Sequence, residues 1–149
     1  MGTHFDVSRV YIFENNEDDT VCYNTFEWCN DGIAPQIDNL QGISYEEDVP
    51  SWKGSFNDNG VLYSADIREL PDDLRATLEP QSIKSLLHCA IMDQGKFRGV
   101  VGFDECSTSR LWTQGQISLL ESLAEVLSVF LLKRRNAERS AAQEAATEA

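Results

Sequence analysis

The sequence predicts an α/β sandwich, an antiparallel sheet covered on both faces. Three observations predict it. Two pairs of strand-like runs are each joined by a turn cluster, so each pair reads as a hairpin. The second pair is apolar on both faces, which requires cover on both. A long helix carrying two apolar stripes closes the chain and supplies one cover.

Val7–Glu14 (VSRVYIFE) is rich in branched and aromatic residues and suits a strand. Asn15-Asn16-Glu17-Asp18-Asp19 is a turn cluster, and Thr20–Asn30 (TVCYNTFEWCN) resumes as the partner strand, closed by Asp31-Gly32. Residues 33–50 lack clean periodicity and read as loop with short helical pieces. Trp52 and Phe56 stand four apart, which predicts one helical face over Pro50–Asn57. Val61–Ile67 (VLYSADI) reads as a short strand. Leu70-Pro71-Asp72-Asp73 is a helix entry, with proline early and acids in the first turn; Pro80 bars continuation beyond about Leu78. Ser85–Asp93 (SLLHCAIMD) and Phe97–Glu105 (FRGVVGFDE) flank the tight turn Gln94-Gly95-Lys96.

Thr113–Arg135 is the clearest element. Thr113 can cap a helix that stays apolar for about five turns. Ile117, Leu120, Ala124, Leu127 and Leu131 form one stripe. Leu119, Leu123, Val126 and Phe130 form another on an adjacent face. A helix packed only on its own sheet needs a single stripe. One stripe therefore packs on the sheet and the other meets a symmetry-related helix; Ile117, Leu120, Ala124, Leu127 and Leu131 are taken as the dimerisation stripe. After Lys133-Arg134-Arg135 the chain turns alanine- and glutamate-rich. That composition favours helix without giving it anything to bury.

A length of 149 residues suits one domain with one core, and 42 % apolar residues suffice to build it. No unbroken run of eighteen apolar residues and no charged-then-apolar leader occurs, so neither a membrane span nor a secretory signal is expected. A net charge of −13 repels phosphate backbones and anionic headgroups, which excludes nucleic acid and membrane surfaces as expected partners. The acidic clusters read as solvated loops and helix starts, since no D-x-D-x-D-G loop for calcium is present. Cys22, Cys29, Cys89 and Cys106 form no C-x-x-C pair, and the two histidines, His4 and His88, have the wrong spacing for zinc. No metal and no cofactor are expected. Reduced, mostly buried thiols in a cytoplasmic setting fit this usage.

Taken in order, SRVYIFE, FEWCNDGI, W-x(3)-F before VLYSADIRELP, SIKSLLHCAI, GKFRGVVGFDE and LW-T-x(3)-ISLLESLAEVLSVFLLKRR resemble a GAF domain over roughly residues 7–135. The resemblance implies an α+β, PAS-related fold. Its antiparallel sheet has about six strands, with helices on one face and loops with short helices over a pocket on the other. It implies a sensory module of a bacterial signalling protein, of sensor histidine kinase or diguanylate cyclase type, rather than an enzyme. That module would bind a small ligand or partner and signal through a homodimer formed by the C-terminal helix. Such domains usually open with a helix beside the last one. Residues 1–6 are read as the stub of that helix, 7–135 as the domain, and 136–149 as an exit helix or linker.

Within the resemblance the catalytic and cofactor variants fit poorly. His88-Cys89 reverses the order of the bilin-attaching Cys-His pair and lies in a strand. Phe103-Asp104-Glu105 lacks the spacer and the N-K pair of the cyclic-nucleotide signature. Nothing places the cysteines in an electropositive, exposed setting that would activate a thiol. Pocket candidates follow from the need for apolar and aromatic walls with a few polar anchors. They are Tyr11, Phe13, Tyr23, Trp28, Trp52, Phe56, Tyr63, Leu86, His88 and Ala90. The alternative is a ligand-free dimerisation domain whose pocket is filled by its own side chains; a cysteine-based redox enzyme is the third reading.

Overall fold

A computed structural model describes residues 7–107 and 112–148. Residues 1–6, where the stub of a first helix is expected, lie outside the described residues. Six strands form one sheet: β1 (Arg9–Asn15), β2 (Val21–Cys29), β3 (Ile43–Ser44), β4 (Val61–Ser64), β5 (Ser85–Asp93) and β6 (Lys96–Glu105). Their spatial order is β3-β2-β1-β6-β5-β4, with every neighbouring pair antiparallel. The α+β architecture expected from the resemblance is therefore the observed one.

Both hairpins form as the turn chemistry dictates. Gln94 and Gly95 sit at φ 53° and 79°, the paired left-handed conformation that matches a two-residue turn to the twist of β5 and β6. At the β1–β2 turn, Asn16 Oδ1 accepts from the backbone N–H groups of Thr20 and Val21.

Period-2 alternation divides the core in two. Tyr11, Phe13, Leu62, Leu86 and Val100 face one side, with Tyr45, Val49, Trp52, Ile67, Leu74, Leu78 and Ile83 from the connecting segments. Ile12, Leu87, Cys89, Ile91, Val101 and Phe103 face the other, with Leu120, Ala124 and Leu131 from the terminal helix. β5 thus contributes Leu86 and His88 to one layer and Leu87, Cys89 and Ile91 to the next.

α1 (Asp72–Leu78) starts after Pro71 with Asp72 and Asp73 in its first turn. Beyond Leu78 the chain continues through Pro80 as a 3-10 turn, Glu79–Gln81. The helix expected over Pro50–Asn57 is only a 3-10 turn, Lys53–Ser55, and Phe56 is already extended. Nucleating a helix costs more than so short a segment returns. Asn57 closes it instead, its side chain accepting from Asn59 N–H and Val61 N–H.

α2 (Gln114–Glu148) is 35 residues long, roughly 52 Å at the α-helical rise. Gln116 N–H donates to Thr113 Oγ1, and Thr113 N–H donates to Gln116 Oε1, a reciprocal cap. The assignment of its stripes needs correction. Leu120, Ala124 and Leu131 are buried against the sheet, with Ile117 and Leu127 packed beside them. That stripe is therefore closed to a partner helix. Leu119, Leu123, Val126 and Phe130 lie exposed, at 56 %, 44 %, 66 % and 65 %, together with Val129. Helical spacing defines both stripes; only packing selects the one that meets the sheet. The two stripes together also give Gln114–Ala146 an eighteen-residue window apolar enough, by length and composition alone, to cross a membrane.

Candidate functional site

The layer opposite α2 holds a cavity of about 40 Å³. Its floor is sheet: Tyr11, Phe13, Leu62, Leu86 and His88. Its roof comes from the segment before β4 through Leu40, Ile43, Val49 and Trp52, and from α1 and the following turn through Leu74, Thr77, Leu78 and Gln81. A space of that size holds a few waters, whereas small-molecule sites run from about 300 Å³ upward. The Trp52 indole is packed into this layer as one wall of the space. It is buried, stacks on Tyr45 at 5.7 Å and 27°, and meets Phe13 and His88 edge-on at 5.7 and 5.6 Å.

A column of buried polar groups leads away from that indole. Trp52 Nε1–H donates to His88 Nδ1 at 3.1 Å. An indole can only donate, so Nδ1 is the acceptor and the proton of the neutral ring sits on Nε2. His88 Nε2 lies 2.5 Å from Tyr11 Oη and donates to it. Tyr11 Oη in turn donates to Asp104 Oδ1 at 2.6 Å. Arg9 Nη1 closes the column on Asp104 Oδ2 at 3.5 Å. The guanidinium also donates to the carbonyls of Ala34 and Gln81, and Glu27 lies 3.9 Å away. Glu27 accepts from the N–H groups of Gln36 and Ile37. Arg9 and Glu27 thereby tie the 31–40 loop and the turn after α1 to the sheet.

Burial sets the charges in the column. It lowers His88 to about 3, keeping the imidazole neutral. It raises Asp104 to about 7, against the hydrogen bond from Tyr11 and the charge of Arg9, which pull downward. Tyr11 is raised by burial and by the adjacent carboxylate. The column needs room, and Gly102 supplies it: a Cβ there would fall within the Tyr11 ring.

Five sequence-predicted residues line the cavity: Tyr11, Phe13, Trp52, Leu86 and His88. The other five do not. Phe56 packs beside Trp52 and Phe97 without reaching the cavity. Ala90 lies against Gly60 at the far end of β5. Trp28 pairs with Val10, so it points to the α2 side and lines a groove there with Phe26 and Phe130. Tyr23 pairs with Glu14 across the bulge at Ile12/Phe13 and is exposed. Tyr63 follows Leu62 by one residue, hence faces α2, where its Oη accepts from Trp112 N–H at 2.8 Å. The dominant miss is the ion pair of Arg9 and Asp104. A charged residue inside each apolar run, VSRVYIF and GVVGFDE, is the signal that could have found it, because such positions are buried on both faces.

The cysteines are all free. Burial raises every thiol, Cys22 to about 11 and Cys89 to about 12, and raises Cys29 and Cys106 as well. Among the described residues, no group of three or more His, Cys, Asp or Glu side chains could hold a metal ion.

The sheet thus carries a closing helix on one face and a loop-roofed site on the other. The GAF domain family matches residues 1–131, and the chain belongs to that family. It is 32 % identical over 139 residues to the methanogenesis regulatory histidine kinase FilI of Methanothrix harundinacea (strain 6Ac). The match covers 91 % of this chain and 16 % of that kinase, so the chain spans about a sixth of its relative's length. Among solved structures, the blue-light absorbing form of the PixJ GAF domain of Thermosynechococcus elongatus superposes with a TM-score of 0.67 at 17 % identity, covering 92 % of this chain and 81 % of that one. A domain assigned to a two-component sensor histidine kinase protein of Sinorhizobium meliloti 1021 does so at 0.65 and 14 %, covering 91 % and 86 %. At those identities the likeness is one of fold.

Proposed function

We propose that this chain is the cytoplasmic sensory module of a histidine-kinase-type signalling protein, a binding and relay domain without catalysis of its own. The observation that carries this reading is the alternation along β5. Leu86 and His88 face the cavity while Leu87, Cys89 and Ile91 face α2. A change at the site reaches the helix through a single strand. α2 then carries it roughly 25 Å past Leu131 toward an output domain. The similarity to FilI favours a kinase as that output over a diguanylate cyclase. The raised thiols bear against a cysteine-based enzyme, since attack requires the thiolate.

The exposed stripe Leu119, Leu123, Val126 and Phe130 is the homodimer surface in this reading, since the sheet covers the stripe of Leu120, Ala124 and Leu131. A row of large apolar side chains on one helix face is costly in water and is relieved by a second copy. Sedimentation velocity of the chain and of a Val126→Glu, Phe130→Glu double variant tests it. Dimers that become monomers in the variant support the reading. A wild-type chain that stays monomeric at high concentration refutes the dimer.

A further inference from the structure

We propose that the site takes a flat aromatic ring bearing one N–H donor, an indole-class heteroaromatic, which displaces the Trp52 indole from its place against His88. The inference rests on reading the cavity as the sensory site and names the ligand chemistry of that site.

The walls and the occupant belong to different kinds of structure. Phe13, Leu62, Leu86 and His88 are held by the ladders of β1, β4 and β5. Trp52 rides on the unpaired segment between β3 and β4, where its backbone makes local turn bonds to Val49 and Ser55. Segments without ladder bonds open at lower cost than the sheet beneath them. Between the two lies the void of about 40 Å³, lined largely by aliphatic side chains.

The polar demand on any occupant is the one that the Trp52 N–H meets, and the column behind His88 supports it. His88 Nε2–H is committed to Tyr11, whose own proton is committed to Asp104, which is held by Arg9. With Asp104 ionised against Arg9, Tyr11 donates to that carboxylate and takes the Nε2–H of His88, which leaves Nδ1 facing the site as a buried acceptor. If Trp52 withdraws, that acceptor must be met by a donor. The space it vacates is a slot between Tyr45, which stacks, and Phe13, which presents its edge. A flat ring fits the slot, and an N–H satisfies the nitrogen. An acidic ligand finds no cation there, since His88 is neutral and Arg9 is engaged with Asp104 and two carbonyls.

Indole is the probe, and indene, the same shape without the N–H, is the control. Trp52→Ala opens the slot, and binding is followed by calorimetry and by the rise in Tm. Indole is expected to bind this variant, with indene about tenfold weaker, the usual effect of one buried hydrogen bond. In the wild-type chain, indole is expected to shift the Trp52 Nε1–H resonance in NMR spectra while those of Trp28 and Trp112 stay. Trp52→Phe, which keeps a ring in the slot, identifies that resonance. Equal affinity for indole and indene overturns the proposal. So does a folded Trp52→Ala chain that binds no indole, or a wild-type Trp52 resonance that stays fixed at indole levels well above those saturating the variant. If Trp52→Ala does not fold, the wild-type titration with indole against indene decides by the same shift. None of these results touches the dimer surface, so failure here overturns the ligand assignment and leaves the homodimer reading to its own sedimentation test.

Discussion

Replacing Leu120 and Phe130 separately by alanine should divide the two faces of α2 by mechanism. Leu120 is 3 % exposed and packs in the layer of Leu87, Val101 and Phe103. Truncating a leucine so placed removes its transfer free energy and leaves a cavity, about 2–5 kcal/mol in all. Phe130 keeps 65 % of its surface in water. Only about a third is withdrawn in the monomer, so its loss should cost the fold about 1 kcal/mol or less, on a scale of roughly 1.5–3 kcal/mol for full burial. Urea denaturation at two protein concentrations separates the terms. Leu120→Ala should lower stability by a similar amount at both. Phe130→Ala should lower it mainly at the higher concentration, where dimer adds to stability by mass action. The reasoning is refuted if Leu120→Ala costs less than about 1 kcal/mol while Phe130→Ala costs more than about 2 at low concentration, because α2 would then be rotated from the setting described.

Gly102→Ala should destabilise the fold by about 1–3 kcal/mol through overpacking, since the new methyl meets the doubly hydrogen-bonded Tyr11 ring; denaturant midpoints check it, and Tyr11→Phe in the same background should restore nothing. Asp104 and His88 make opposite contributions to the pH dependence. Asp104 is raised to about 7, so the stability it contributes is full below its unfolded value and is lost as pH rises through 7. His88 is lowered to about 3, so folding is opposed as pH falls below about 6.5, where the unfolded imidazole takes a proton. Stability curves of Asp104→Asn and wild type, measured from pH 4 to 7, should therefore diverge, the variant gaining relative stability as pH rises. Alkylation of the native chain at pH 8 should label the half-buried Cys29 and Cys106 ahead of the buried Cys22 and Cys89; mass spectrometry of tryptic peptides reads the order.

Residues close in sequence made much of this fold legible. The Ser85–Asp93 strand, the cap at Thr113, the Gln94-Gly95 turn and the entry of α1 behind Pro71 each follow from patterns a few residues long. Half of the pocket candidates were legible for the same reason. Period 2 places Tyr11 with Phe13 and Leu86 with His88, on whichever face they lie. That period does not say which face is which: Trp28 and Tyr63 have the composition of pocket walls and point toward α2, because their strand partners Val10 and Leu87 do. The same limit applies to the helix. Its two stripes are plain in the spacing, but both are equally apolar, and only contact with Leu87, Val101 and Phe103 selects Leu120, Ala124 and Leu131 as the inner one. The buried column is the furthest from local reach. Arg9 and Asp104 stand 95 positions apart, and Trp52 and His88 36. Each is an ordinary residue in its own segment. It takes the sheet, which sets β6 beside β1 and β5 beside β6, to bring one carboxylate, one phenol, one imidazole and one indole into line.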